Sequence, residues 1–159
     1  MAIFGKRLSE YVAFAKLFLC LIAIVGIARL GLSLAGVENA SVKWLSISVV
    51  ILIGLVYYSI RVYTSGFGSY KQLLPILFLQ SVVAQSIIIA GIVIAIFAGR
   101  DNIFSAPEYS GGGDGKTWLH AGAHLVFGVI VGSLLAWLVG CVLMWVTKKV
   151  RRDGRTAAD

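Results

Sequence analysis

Two stretches of this chain run further than a bilayer is thick without a charged side chain. Residues 73–99, LLPILFLQSVVAQSIIIAGIVIAIFAG, and 118–146, WLHAGAHLVFGVIVGSLLAWLVGCVLMWV, contain no Asp, Glu, Lys or Arg. Crossing the hydrocarbon core takes about 20 residues of helix. Two further apolar runs precede them, YVAFAKLFLCLIAIVGIARLGLSLAG at 11–36 and WLSISVVILIGLVYYSI at 44–60. Hydrocarbon offers no water to backbone N–H and C=O groups, so runs of this length close their hydrogen bonds internally as helices. The expected fold is all-α: a polytopic membrane protein of four transmembrane helices, forming one domain over residues 1–159. Composition points the same way. Charged residues are 13% of the chain, against about 25% in soluble domains, and the mean hydropathy is +0.93.

Lys6 and Arg7 ahead of the first run, with Gly26-Ile27-Ala28 inside it, have the look of a cleavable signal. The run continues past Arg29, which favours a retained helix. Pro75 is expected in the first turn of the third helix, where a missing N–H costs little. Cys20 and Cys141 both lie in apolar runs and suggest no disulfide framework.

The net charge of +7 is unevenly placed. Lys6, Arg7, Arg61, Lys71, Lys148, Lys149, Arg151, Arg152 and Arg155 lie on one side of the expected topology, and only Lys43, Arg100 and Lys116 on the other. By the positive-inside rule both termini are cytoplasmic, and the loops at 37–43 and 100–117 lie outside. Trp44, Trp118, Trp145 and several tyrosines fall at the expected interfaces, as aromatic belts do. The basic tail at 148–159, through Lys148, Lys149, Arg151 and Arg152, suits anionic lipid headgroups at the cytoplasmic face rather than nucleic acid. The expected location is an integral membrane protein of the bacterial inner membrane.

The outer loop carries the most suggestive motif. Residues 110–117, SGGGDGKT, differ from the phosphate-loop pattern G-x-x-x-x-G-K-[ST] only by Ser110 at its first position. No strand precedes it and the loop lies outside, so a flexible turn leading into the fourth helix is expected rather than a nucleotide site. No cofactor is implied. His120 and His124 follow at i,i+4, on one helix face, near the acidic Asp101, Glu108 and Asp114. They are candidate metal ligands, or interfacial histidines bonded to water, headgroups or loops.

The same helix carries Gly128, Gly132, Ala136 and Gly140 at four-residue spacing, which lets helix backbones approach closely. On a straight α-helix each such step drifts roughly 40°, so the histidines and Gly140 are not expected to face one straight neighbour. Gly91, Ala95 and Gly99 form a matching row on the third helix. Pairing within the chain and pairing with another subunit explain the two rows equally well.

Inside the spans, Arg29 is the deepest charge, and Gln80, Ser81 and Gln85 are the polar groups of the third helix. Intramembrane charges mark function by default, yet all seven Asp and Glu residues fall in loops, ends or tails. That argues against a proton-coupled pump, and no nucleophile–base pair argues for an enzyme. The expectation is a non-catalytic subunit of a larger membrane complex, packed through small-residue faces against other transmembrane subunits or itself. One alternative is a small homo-oligomeric channel or transporter with a polar path at Arg29, Gln80 and Gln85. The other is an outer-face metal-binding protein using His120 and His124.

Overall fold

The structure, a computed structural model, describes residues 2–156, with side chains as far as Asp153. Arg155 of the basic tail and residues 157–159 lie outside the described side chains. Among the described residues four helices are long and apolar enough to cross a membrane: Leu8–Leu34, Asn39–Thr64, Tyr70–Ala98 and Trp118–Asp153.

The first span is α1 (Leu8–Leu34). The second joins a single turn, α2 (Asn39–Val42), to α3 (Ile47–Thr64), which Ser46 caps by accepting the Val49 N–H at 3.4 Å. The third is α4 (Tyr70–Ala98), opened by a capping box in which the Ser69 N–H donates to Gln72 Oε1 at 2.8 Å. This start lies ahead of the expected one, because the polar Tyr70-Lys71-Gln72 forms a helical turn outside the apolar run. Pro75 is therefore not in the first turn, and it withholds the N–H that Lys71 C=O would accept. The fourth span is composite: α5 (Trp118–Ala123), a π-helical segment (His124–Val131) and α6 (Gly132–Thr156).

A short β-hairpin precedes α1. Ala2–Ile3 pairs with Lys6–Arg7 across Phe4 (φ +48°) and Gly5 (φ +84°). Tyr11 Oη donates to Ile3 O at 2.9 Å, and Gln72 Nε2 to Phe4 O at 2.9 Å, tying the hairpin to α1 and α4.

α4 packs against α1, α3 and α6. Between lipid-embedded helices the hydrophobic effect gives little, so packing and hydrogen bonds hold them together. In the half near the termini, Phe18, Tyr58, Leu73 and Ile76 interlock, and Tyr58 Oη donates across to Ala15 O at 2.9 Å. In the other half, Ile22, Ala84 and Ile92 pack against Ile103 and Phe104, which come from the 99–117 loop. That loop closes the end of the bundle.

Candidate functional site

The capping end is built around Asn102. Its Nδ2 donates to Gly91 O inside α4 at 2.6 Å, while Oδ1 accepts the Phe104 N–H at 2.9 Å, an Asx turn. The Asn102 N–H donates to Ser105 Oγ at 3.0 Å, and the Ile103 N–H to Ser33 Oγ of α1 at 2.9 Å. Residues 102–106 are all buried. Gly91 is small for this reason: a Cβ there would strike the Phe104 ring.

The glycine-rich stretch is a folded part of this cap rather than the flexible turn expected from its composition. Gly111 and Gly112 supply positive φ for the reversal (+76° and +85°). Gly115 rests on the Ser105 carbonyl, leaving no room for a Cβ. Lys116 Nζ bridges Asp101 (2.8 Å) and Asp114 (3.0 Å). The Lys116 backbone N–H, then its ammonium, hold the Asp114 carboxyl below its ordinary range; Asp101 and Asp114 hold the Lys116 ammonium above its own. Thr117 Oγ1 accepts the His120 N–H at 3.1 Å and caps α5. Each of Gly115, Lys116 and Thr117, the residues resembling a phosphate loop, thus has a structural task.

His120 and His124 hang from this cap. His120 Nδ1 lies 2.9 Å from Gly115 O, His124 Nδ1 lies 2.7 Å from Gln85 Oε1, and the two Nε2 atoms are 3.2 Å apart. Carbonyl oxygens only accept, so both Nδ1 atoms donate. Two neutral imidazoles held this way bring two Nε2 lone pairs together, an arrangement that a positive centre between them stabilises. A proton does this. So does a metal ion: two bonds of about 2.0–2.1 Å at a near-tetrahedral angle set their nitrogens about 3.3 Å apart. Turning the Gln85 amide over would offer His124 Nδ1 an N–H instead. His124 Nε2–H would then donate to His120 Nε2, closing a neutral chain. The Gln85 amide thus decides between a cation-receptive pair and a self-satisfied one. The pair borders a cleft of about 380 Å³, with Phe127 and Gly128 on its wall. Among the described residues no third His, Cys, Asp or Glu joins the pair in a metal-sized group.

Gly128 makes the Gln85 contact sterically possible, since a Cβ at 128 would overlap the Gln85 amide carbon. Twelve residues on, Gly140 packs on Leu73 of α4 and on Leu55 and Ser59 of α3. His124 and Gly128 thus face α4, while Gly140 sits between α3 and α4, so the two ends of the row meet different neighbours, as the drift of four-residue steps implies. Between them lies the π-helical segment, whose i→i+5 turn is wider, so four-residue steps there do not advance at the α-helical pace. Ala136 packs against the core of the terminal half, and Ala95 is buried. Gly132 meets only the Phe127 carbonyl of its own span, and Gly99 ends α4 in the left-handed conformation.

The other polar candidates are dispersed. Gln80 is 1% exposed, and neither its Oε1 nor its Nε2 has a partner. It lies against Gly54. Ser81 is buried beside it in sequence. Arg29 sits with its guanidinium carbon 5.8 Å from the Phe104 ring centroid and 5.7 Å from that of Tyr109. Arg29 lines one cavity and Gln85 another, and Gln80 lines neither of these two. At the opposite end Lys148 Nζ lies over the Tyr70 ring (3.9 Å) and donates to Ser69 Oγ at 3.4 Å. Lys149 lies over Trp145, and Arg151 is exposed. Lys148, Lys149 and Arg152 border a common pocket with Trp145.

No known protein family, curated protein or solved structure matches this chain. The site stands on its own chemistry. Asn102 and Ser105 are the residues that sequence reasoning missed; the Asn-x-x-Ser spacing shortly after a helix-ending glycine was the available signal.

Proposed function

We propose that this chain is a non-catalytic integral membrane protein that binds one cation between His120 and His124. The Lys and Arg distribution supports an orientation with both termini in the cytoplasm and the histidine pair on the outer side; the membrane proposed is a bacterial inner membrane. The observation that carries the reading is the 3.2 Å approach of two Nε2 atoms whose Nδ1 partners are both pinned to carbonyl oxygens. A hydrogen bond from the ring nitrogen that faces away from the metal fixes tautomer and ring orientation in metal sites. Imidazole donors suit zinc, copper or nickel ions, with a proton as competitor. The remaining coordination positions face the cleft and go to water or an incoming ligand.

This reading draws more from the geometry than the other two do. Gly91, Gly128 and Gly140 pack within the chain, which leaves less of the small-residue face for a subunit partner. A polar transport path finds no continuation at Gln80.

The test is zinc titration of chelator-stripped, detergent-purified protein. Wild type is expected to bind one equivalent, and His120→Ala and His124→Ala to lose at least about a hundredfold in affinity. Zinc binding is expected to weaken as pH falls, because protons compete with the metal for the imidazole nitrogens. Equal binding by wild type and both variants would end the proposal.

A further inference from the structure

The far side of His124 borders a second, separate cavity of about 150 Å³ under the Asn102 loop. Arg29, Ser48, Tyr109 and His124 are its polar lining. It is too small for a drug-sized organic ligand, which takes about 300 Å³ or more.

Its charge is unbalanced. None of the described carboxylates lies within ion-pair distance of Arg29: Asp101 and Asp114 hold Lys116, and Glu108 accepts from Asn39 Nδ2 at 3.1 Å. Arg29 Nε is buried with no hydrogen-bond partner. The Phe104 and Tyr109 rings on the guanidinium replace neither a counter-ion nor an acceptor. Arg29 is half-buried, so its charge is partly desolvated and its buried Nε–H lacks an acceptor, both of which favour an anion beside it. Ile47 and Ser48, which also line the cavity, open the 18-residue α3. Their first-turn N–H groups have no intrahelical acceptor, and the helix dipole there is positive. Ser46 Oγ satisfies the Val49 N–H only. Every polar feature of this cavity is a donor or a positive charge, save hydroxyl and imidazole groups that can act either way.

We propose that this cavity binds a phosphate group, with Arg29 as its charge partner and Ser48, Tyr109 and the first turn of α3 as donors. A guanidinium suits phosphate through paired N–H donors. A tetrahedral oxyanion, with acceptors on all sides, suits donors that come from α1, α3 and the 99–117 loop. The phosphate is either inorganic phosphate or the headgroup of a lipid in the outer leaflet. The site does not depend on the histidine pair binding a cation, since Arg29 and α3 carry it.

The experiment follows thermal unfolding of full-length protein in a maltoside detergent, with added sodium phosphate, short-chain phosphatidylglycerol or sodium chloride. A ligand of the folded state raises the unfolding temperature progressively, with the logarithm of its concentration above the dissociation constant. Phosphate or the lipid is expected to stabilise wild type and His120→Ala alike. Arg29→Gln is expected to weaken that response at least about tenfold in concentration, the loss of one charge-assisted hydrogen bond. Tyr109→Phe, which keeps the ring beside Arg29, is expected to weaken it severalfold and serves if Arg29→Gln does not fold. Response to phosphate alone identifies the free anion; response to the lipid at far lower concentration identifies the headgroup. Equal stabilisation by chloride, equal response in wild type and both variants, or no response to either ligand would overturn the site. A zinc titration that fails while this response survives removes only the cation reading.

Discussion

Gln80 and Gln85 stand five residues apart on α4, yet the halves of the bundle they belong to treat an amide in opposite ways. Around Gln80 the contacts are aromatic and aliphatic, and neither amide atom has a partner. Around Gln85 the amide engages His124, and through it His120 and Gly115. The capping loop above is held by Asn102 and Ser105 in the same manner. In a low-dielectric interior a satisfied polar network is strong and a lone polar group is costly. The half near the termini is thus a packing unit with one polar defect. The capped half is a polar device that the packing unit supports.

The largest effect is expected from breaking the cap. Asn102→Leu leaves the buried Phe104 N–H unsatisfied and removes the second hydrogen bond on Gly91 C=O, at a cost of about 2 kcal/mol in thermal unfolding. An unchanged unfolding temperature would mean that the loop contributes nothing to the bundle. Next come two substitutions of opposite sign at Gln85. Gln85→Glu offers His124 Nδ1 only acceptors, so zinc affinity should rise about tenfold; Gln85→Leu removes the pin and should lower it by 10-fold or more. A shift of the same sign in both would refute the tautomer argument.

Gln80→Leu sharpens the contrast from the other side. Removing an unpartnered amide while roughly keeping its volume should stabilise the protein by about 1–2 kcal/mol. Destabilisation would show that the amide has a partner, such as a buried water.

The smallest effect is at the loop surface. A carboxyl held low contributes fully above the ordinary Asp range and is lost as pH falls through its lowered value. An ammonium held high contributes below the ordinary Lys range and is lost as pH rises through its raised value. The Asp114–Lys116 contribution should therefore be flat from about pH 5 to 9. Asp114→Asn should lower the unfolding temperature slightly there and not at all in strong acid. A pH-dependent difference near neutrality would place another titrating group at the cap.

The spans were legible because a charge-free run of apolar residues has one stable form in hydrocarbon. Their ends were less so: Tyr70-Lys71-Gln72 is polar and helical, and only the Ser69–Gln72 spacing hints at the cap. The i,i+4 histidines marked one end of the site. Gln85 was visible only as a polar residue in a span, since its partner lies 39 residues away in sequence. The cap itself was hidden, because glycine, serine and asparagine have the same composition in a mobile turn as in a tightly bonded one. What distinguishes them is the Gly91 carbonyl and the Ser33 hydroxyl, supplied by other helices.

The π-helical segment between α5 and α6 has one further consequence. Each residue of an α-helix turns the chain by about 100°, so the segment acts as a phase offset in the middle of the fourth span. Trp137, anchored by its Nε1–H to Tyr70 O at 2.8 Å, indexes α6 against α4. The azimuth of the two histidines is indexed separately, by Thr117 and Gln85. A single rod-like span is in effect two dials on one shaft, one set by packing and the other by the chemistry at its tip.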